Sequence, residues 1–372
     1  MGPLTGYRII EMVGIGPGPF AGMMLADMGA EVIAVERKVK GTAPQMPVDI
    51  NRRGKRSIVL DLKSEGGKEA LLKLVESSDA LFEGFRPGVM EKLGLGPDTC
   101  LARNEKLVFG RMTGWGQDGP LANTAGHDIN YIALSGALYS NGPGDRPPMP
   151  ALNLVGDYGG GGMMLAFGLV CGLLESKGSG QGQVIDAAMT EGSAALMSLM
   201  FSLKGSGIWQ EQRGINLFDG GCGYYGSFAC ADGEFVALGP IEAPFFAQFV
   251  ELVGGDPEWL QWHSNPRKWH QLRQALTDLF ATKPQSLWCQ LLDGSDACFS
   301  PILPFWKAHE HPHAKARKSF VEIDGVMQPA PTPKFSRTAA PTPKAPSGRG
   351  EDGPALLSEL GLSADDISEL LS

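Results

Sequence analysis

Two titratable side chains, His127 and Asp157, lie thirty residues apart in a glycine-rich stretch from 125 to 162. Asp157 precedes Tyr158 and four glycines, which open the apolar run MMLAFGLVCGLLES, typical of a buried helix. Glycine is about 1 kcal/mol less favourable than alanine inside a helix, so we expect another helix or a ligand to approach this backbone closely. The unpaired N–H groups of a helix start could then hold a ligand oxygen beside the Asp157 carboxyl. Alternatively, Asp157 only caps the helix, and the glycines only let helices pack.

The segments that must position these residues begin with alternating strand and helix. Residues 8–12 and 31–36 predict short buried strands, and methionines recur at helical spacing between them. This βαβ opening predicts an α/β fold with a parallel sheet and crossover helices. Gly14, Gly16 and Gly18 mimic a dinucleotide-binding turn, but prolines interrupt it and its spacing is G-x-G-x-G. Arg37, directly after the acid that ends the second strand, suits a phosphate as well as a ribose, so a nicotinamide dehydrogenase is disfavoured.

Further patterns predict the rest of the chain. The segment NRRGKRSIVLDLK concentrates basic residues that either decorate a solvated face or hold phosphates. Composition changes after Gly205, and we take 218–315 as a smaller second domain. The proline-rich residues 327–350 predict an extended connection, and Ser363 with Asp366 forms a capping box before a last helix. The remaining predicted elements are strands at 58–62, 79–85, 107–112 and 183–189, helices at 64–78 and 190–204, and a hairpin of 228–230 with 234–238.

Bulk composition restricts the class of protein. The 372 residues are 43% hydrophobic with a net charge of -9, which allows a sizeable core and argues against non-specific nucleic-acid binding. Six cysteines without C-x-x-C spacing indicate a reducing compartment. We found no signal-peptide pattern and no membrane-length apolar run free of breakers, so we expect a cytoplasmic protein that does not bind membranes. The histidines of HEHPH at 309–313 lack zinc spacing, and we expect no metal site.

Several long motifs, in order, identify a family. The opening 2–37 and the segments GKRSIVLDLK, FRPGVMEKLGLGP, MTGWGQDGP, AGHDINYIALSG, LNLVGDYGGG and SKGSGQGQVIDAAMTEGSA resemble the family III coenzyme A-transferases. Within that fold they look most like the α-methylacyl-CoA racemase branch, and the resemblance continues through ADGEFVALGPIE and SDACFSPIL. Two departures are Lys92, where some relatives carry arginine, and Cys222, where relatives often show alanine and proline nearby.

The resemblance implies roles for particular residues. His127 and Asp157 would be the catalytic acid/bases flanking the substrate α-carbon, and Glu242, from the small domain of a partner subunit, would hydrogen-bond the imidazole. CoA is part of the substrate, so no separate cofactor is implied. The CoA moiety and the rest of the substrate would be held by Arg37, Leu60, Asp61, Leu62, Lys63, Gly84, Arg86, Lys92, Gly126, Asp128, Asn130 and Tyr131.

The resemblance also implies an architecture. A large Rossmann-like domain (1–205) would be followed by a linker (206–217), a small α+β domain (218–315) and a C-terminal segment (316–372) that returns to the large domain. Two chains would form an interlocked homodimer, with acyl-CoA as the small-molecule partner.

The chemistry of racemisation agrees with two acid/base groups. One group must remove the α-proton from one face, and a second must return a proton to the other. Asp157 therefore needs burial that raises its pKa enough for an acid role. The enolate oxygen needs preorganised donors, for which the glycine-lined N–H groups are candidates.

Other functions remain open. A CoA-transferase of the same fold would use Asp157 as a nucleophile on the thioester and would not need His127. A CoA-binding protein without catalysis would not need the set His127, Asp157 and Glu242. The acyl chain of a racemase substrate is also undecided among a sterol side chain, a branched fatty acid and an aryl-propionate.

Overall fold

The computed structural model describes residues 2–38 and 46–371, and the chain divides into two compact units. The first comprises Met1–Ala137, Ala151–Met197 and Ala316–Ser372, and the second comprises Leu138–Pro150 and Ser198–Lys315. This division differs from the domain boundaries expected at 205, 218 and 315, because Leu138–Pro150 and the residues just after Met197 join the second unit. The functional domain boundaries stay a prediction.

A parallel sheet of six strands forms the centre of the first unit, with the strands side by side in the order third, second, first, fourth, fifth and sixth of the chain. Ile9 of the first strand pairs with Val32 on one side and Ala80 on the other. The predicted α/β class with a parallel sheet is confirmed. The strands are β1 (Arg8–Met12), β2 (Glu31–Arg37), β3 (Arg56–Leu60), β4 (Ala80–Glu83), β5 (Val108–Thr113) and β6 (Gln183–Ala188).

Helices cover both faces of this sheet. Successive strand residues point to opposite faces, so Ile10 and Ile33 join one core with Leu71 and Leu356, whereas Ile9 joins another with Leu165. The helices are α1 (Pro17–Asp27), α2 (Glu65–Glu76), α3 (Val89–Lys92), α4 (Pro97–Arg103), α5 (Asp128–Leu134), α6 (Met163–Ser179), α7 (Met189–Leu196), α14 (Gly353–Glu359) and α15 (Ala364–Leu371). Ser64 caps α2, and Ser363 and Asp366 form the capping box of α15 as predicted.

A π-helix, Leu154–Gly162, precedes α6 and contains Asp157 and all four glycines of the run. The alternative in which Asp157 only caps a helix beginning at the glycines is therefore wrong, since Asn153 is the N-cap residue. The Leu154–Ser179 stretch is the one helix, among the described residues, long and apolar enough to cross a membrane. Half of its most apolar part is buried inside the protein, as in a core helix.

The basic cluster before β3 forms ion pairs inside the first unit. Arg53 bonds the Asp27 carboxyl at 2.5 Å, and Lys55 bonds the Glu11 carboxyl at 2.5 Å, with all four side chains at most 3% exposed. Arg53 and Lys55 therefore neither decorate a solvated face nor hold phosphates, the two interpretations considered for this cluster. These pairs instead join β1, α1 and the segment before β3.

The second unit combines a three-stranded antiparallel sheet with helices. The strands are β7 (Gly226–Ala229), β8 (Phe235–Leu238) and β9 (Phe299–Ile302), so the predicted hairpin is confirmed with slightly different ends. The single helix expected at 190–204 is wrong, because it is divided between α7 and α8 (Ser198–Gly205). The other helices are α9 (Ala243–Val253), α10 (Glu258–His263), α11 (Trp269–Phe280), α12 (Gln285–Leu292) and α13 (Pro312–Arg317), which ends in the first unit.

The C-terminal segment belongs to the first unit. It begins with an antiparallel hairpin of β10 (Phe320–Ile323) and β11 (Val326–Pro329), and residues 330–349 form no regular helix or strand. Helices α14 and α15 then pack against β3. Leu356 and Leu357 are fully buried there, which explains why the segment remains on this face.

Candidate functional site

A cavity of about 500 Å³ lies in the first unit at the carboxyl ends of β1, β4 and β5. Ligands of open α/β sheets commonly bind at this edge, where loops leave parallel strands. His127 and Asp157 both line the cavity. The other predicted site residues that line it are Gly84, Arg86, Gly126 and Tyr131.

His127 lies at the N-terminal boundary of α5. Its N–H donates to Asn130 Oδ1 at 3.0 Å, and its carbonyl accepts from the Asn130 N–H at 2.8 Å. The Tyr131 hydroxyl donates to the Gly126 carbonyl, and its ring packs edge-on against Trp115 with centroids 4.8 Å apart. These contacts hold the His127 backbone and leave the imidazole exposed at the cavity.

The glycines of the π-helix are required by the helices that pack against it. A Cβ on Gly160 would lie 2.6 Å from the Ser193 nitrogen in α7, and one on Gly162 would lie 2.7 Å from the Pro17 carbonyl oxygen in α1. Of the two causes considered for the run, helix packing is therefore the observed one. The glycine N–H groups belong to a helix that began at Leu154, so they are not the free helix-start donors expected for an enolate oxygen.

Asp157 lies in the first turn of the π-helix, where N–H groups have no partner within the helix. Its N–H donates instead to Asp128 Oδ1 at 2.7 Å. The side chain is half-buried, and its Oδ2 accepts from Asn153 Nδ2 at 3.1 Å. Gly16 also approaches this carboxyl, since a Cβ there would lie 3.5 Å from Asp157 Oδ2.

The surroundings of Asp157 raise its pKa above the ordinary value. Burial is the largest cause of this rise, and the hydrogen bond from Asn153 opposes it. The charge of Asp128 raises the Asp157 pKa further, whereas His127 lowers it. The direction of the net shift is the one that an acid role for Asp157 requires.

The predicted CoA contacts are spread along the same edge of the sheet. Arg37 ends β2 and lies opposite Leu60, which ends β3, so Asp61, Leu62 and Lys63 follow beside it. Lys92 ends α3, beyond the turn that carries Gly84 and Arg86 after β4. Arg37, Leu60 to Lys63, Lys92, Asp128 and Asn130 are not among the residues that line the cavity.

Glu242 belongs to the second unit. It is the exposed N-cap residue of α9 and makes no side-chain capping bond. Its predicted contact with His127 of another chain stays a prediction. Among the described residues, no three His, Cys, Asp or Glu side chains are grouped to hold a metal.

Known proteins resemble the chain over nearly its whole length. The model of CoA-transferase family III matches residues 4–353. The chain belongs to CoA-transferase family III. It is 44% identical to a mouse alpha-methylacyl-CoA racemase and 40% identical to a human one, covering 99% of this chain and 96% of each relative. A crystal structure of a CaiB/BaiF family protein from Brucella suis has the same fold, with a TM-score of 0.79 and 24% identity over 96% of this chain and 99% of that one.

These comparisons confirm the predicted family and the predicted similarity to its racemase branch. They also support an isomerase acting on acyl-CoA, as the full-length identity of 40–44% to alpha-methylacyl-CoA racemases indicates.

The sequence did not predict the contacts that Asn153, Trp115 and Gly16 make at the site. Asn153, which bonds the Asp157 carboxyl, precedes it by four residues, a spacing that brings side chains together on a helix. That signal depends on recognising a helix before the glycines. Trp115 and Gly16 lie in recognised motifs, but their position against Tyr131 and Asp157 depends on how the loops after β5 and β1 fold.

Proposed function

We propose that this protein interconverts the two enantiomers of 2-methylacyl-CoA thioesters, with His127 and Asp157 as its two acid/base groups. The observation that carries this proposal is that both side chains line one cavity although thirty residues separate them. The full-length similarity to alpha-methylacyl-CoA racemases supports the reaction class.

The reaction requires one proton to leave and another to enter at the same carbon. When neutral His127 takes the α-proton, the C–H electron pair moves into the thioester to form an enolate. Protonated Asp157 then protonates the opposite face, and the reverse reaction uses imidazolium and carboxylate. The raised pKa of Asp157 supports its protonated form in the first direction.

The nucleotide end of CoA is proposed to lie along the ends of β2, β3 and β4. Within residues 2–38 and 46–371, the side chains of Arg37, Lys63, Arg86 and Lys92 make no ion pair, in contrast to the paired Arg53 and Lys55. Their positive charges are therefore available for phosphates and for the polar groups of pantetheine.

The test measures deuterium uptake at C2 of a 2-methylacyl-CoA in heavy water. The protein should catalyse exchange, and H127A or D157A should slow it about 10²–10⁴-fold, as expected for loss of a positioned acid/base group. H270A and D98A, which alter exposed residues of α11 and α4, are matched controls that should exchange like the unmodified protein.

A transferase would give a different result. It would show no exchange at C2, would move CoA to a free carboxylic acid, and would form an acyl-Asp157 adduct that hydroxylamine traps. Detection of this adduct without deuterium at C2 would refute the racemase proposal.

We further propose that two chains form a homodimer in which Glu242 of the partner subunit bonds His127. The resemblance to the family supports this arrangement, and Glu242 is exposed in the single chain. Co-refolding D157A with E242A would then produce heterodimers with one intact and one doubly altered site. Half of the dimers would be mixed, and each mixed dimer would have one intact site out of two, so about a quarter of the unmodified exchange rate should return. No recovery in verified heterodimers would contradict a shared site.

A further inference from the structure

Asp128 is a buried carboxyl group beside both acid/base residues. It follows His127 directly, is 8% exposed, and accepts the Asp157 N–H through Oδ1. Its other oxygen, Oδ2, is buried without a hydrogen-bond partner in the part of the chain that the structure describes. Gly156 makes room for the Asp128 carboxyl because it has no Cβ, and a Cβ at that position would lie 2.4 Å from Asp128 Oδ1.

The hydrogen bond by itself does not require a charged residue. The amide oxygen of an asparagine could accept the same N–H in the same place. Burying a polar oxygen without a partner is unfavourable, so the hydrogen bond alone does not account for a carboxyl group at this position.

We propose that Asp128 is a positioning residue for the proposed racemisation, holding the Asp157 backbone through Oδ1 while its negative charge favours the protonated form of the Asp157 side chain. Two like charges in one buried site disfavour joint ionisation, and the Asp128 carboxyl is already held by its bond to the Asp157 N–H. This inference rests on the proposed function for its catalytic meaning, but the effect on Asp157 is a property of the folded chain.

The groups around Asp157 leave few other sources of such an effect. It faces Asp128 and Tyr131 of α5 and His127, which directly precedes that helix. The pKa of Tyr131 is raised by burial and by Asp157, and Arg86 opposes this rise. Its own turn contributes the neutral amide of Asn153. Helices α1 and α7 contact the π-helix through uncharged residues: Pro17, Phe20, Met189, Gly192 and Ser193. Among the residues that the structure describes, Asp128 is thus the negative charge that raises the pKa of the Asp157 carboxyl, in addition to burial.

The pH profile of the reaction should reveal this charge. His127 and Asp157 share one proton in the active enzyme, so the rate falls on the acid side when both are protonated. Removing the Asp128 charge lowers the Asp157 pKa, so the acid limb of the kcat/KM profile should move to lower pH. Removing the Asn153 bond, which lowers that pKa, should move the acid limb in the opposite direction.

The experiment compares the full-length protein with D128N, D128S and N153A. Carbon-13 NMR of aspartate carboxyls, with Asp157 assigned through D157N, should show the Asp157 titration moved to lower pH in D128N and D128S, because the charge of Asp128 raises the Asp157 pKa. It should be raised in N153A and unchanged in D98N. The acid limb of C2 exchange should follow the same order. D128S serves if D128N does not fold.

Two outcomes would overturn the inference. An Asp157 titration that is the same in D128N or D128S as in the unmodified protein would show that the charge has no effect. A lower exchange rate with an unmoved acid limb would show that Asp128 acts only on the backbone. Because the NMR titration needs no turnover, failure of the racemase proposal would leave it interpretable.

Discussion

A single methyl group at Gly156 should damage both the fold and the proposed catalysis. In G156A the new Cβ would lie 2.4 Å from Asp128 Oδ1 and 2.8 Å from its Cγ. Contacts below about 3 Å cannot be tolerated by packed groups, so the Asp128 carboxyl must move. Its 2.7 Å bond from the Asp157 N–H would then be lost or lengthened.

The size of the effect follows from the burial of Asp128. A hydrogen bond to a charged group contributes about 1.5–3 kcal/mol, and at 8% exposure little water can replace it. Alanine is about 1 kcal/mol better than glycine in a helix, so we expect a net loss of about 0.5–2 kcal/mol in the free energy of unfolding. A displacement of Asp157 by about 1 Å should reduce C2 exchange on the order of 10²-fold.

The matched control is G178A in α6. A Cβ at Gly178 would meet nothing within 4 Å, so this variant should be as stable as the unmodified protein or slightly more stable, and should exchange normally. Urea unfolding and deuterium uptake at C2 measure the two effects. If G156A matched G178A in both measurements, the contact between Asp128 and the Asp157 turn could not have the importance argued for it.

Three further predictions concern CoA and the buried ion pairs. R37A should raise the KM for acyl-CoA much more than it lowers kcat, since binding is lost equally in the ground and transition states. The control R103A removes exposed ion pairs to Glu69 and Glu76 and should leave the KM unchanged. Steady-state kinetics at two salt concentrations test this, and an unchanged KM in folded R37A would contradict the CoA assignment. K55M should lower the free energy of unfolding by about 3–5 kcal/mol because it leaves Glu11 buried without its cation. The control K68M removes the exposed ion pair between Lys68 and Glu65. If K55M lost less stability than K68M, the buried pair could not have this cost. G22A should lose about as much stability as K55M, because a Cβ at position 22 would lie 2.1 Å from Glu11 Oε2. If its denaturant midpoint equalled that of G178A, the Lys55–Glu11 pair would be able to rearrange around the methyl group.

The sheet could be predicted from the sequence because its signals are local. Buried runs such as RIIEM and EVIAVE are separated by a helix-length segment, and this alternation leaves few topologies for a parallel sheet. The pairing of Arg53 with Asp27, and of Lys55 with Glu11, could not be predicted in this way. The two pairs join residues 26 and 44 positions apart, which meet only when β1, α1 and the segment before β3 pack together.

The helix containing Asp157 was misplaced for a related reason. Intrinsic propensity disfavours four successive glycines in a helix, so the sequence suggests a helix that begins after Asp157. Close approach of α1 and α7 compensates for that cost and allows the π-helix to begin at Leu154. This packing is non-local information, which an apolar run alone does not contain.

Asp128 gives the two proposed acid/base groups a common support. It is joined covalently to His127 at the start of α5, and it accepts the N–H of Asp157 in the first turn of the π-helix. A shift of α5 relative to the π-helix would therefore have to break this bond before the distance between the His127 and Asp157 side chains could change freely. Asn153 differs from Asp128 in this respect, because it bonds only the Asp157 side chain and is exposed. The geometry of the pair thus depends on the buried contact, whereas the protonation of Asp157 depends on both neighbours.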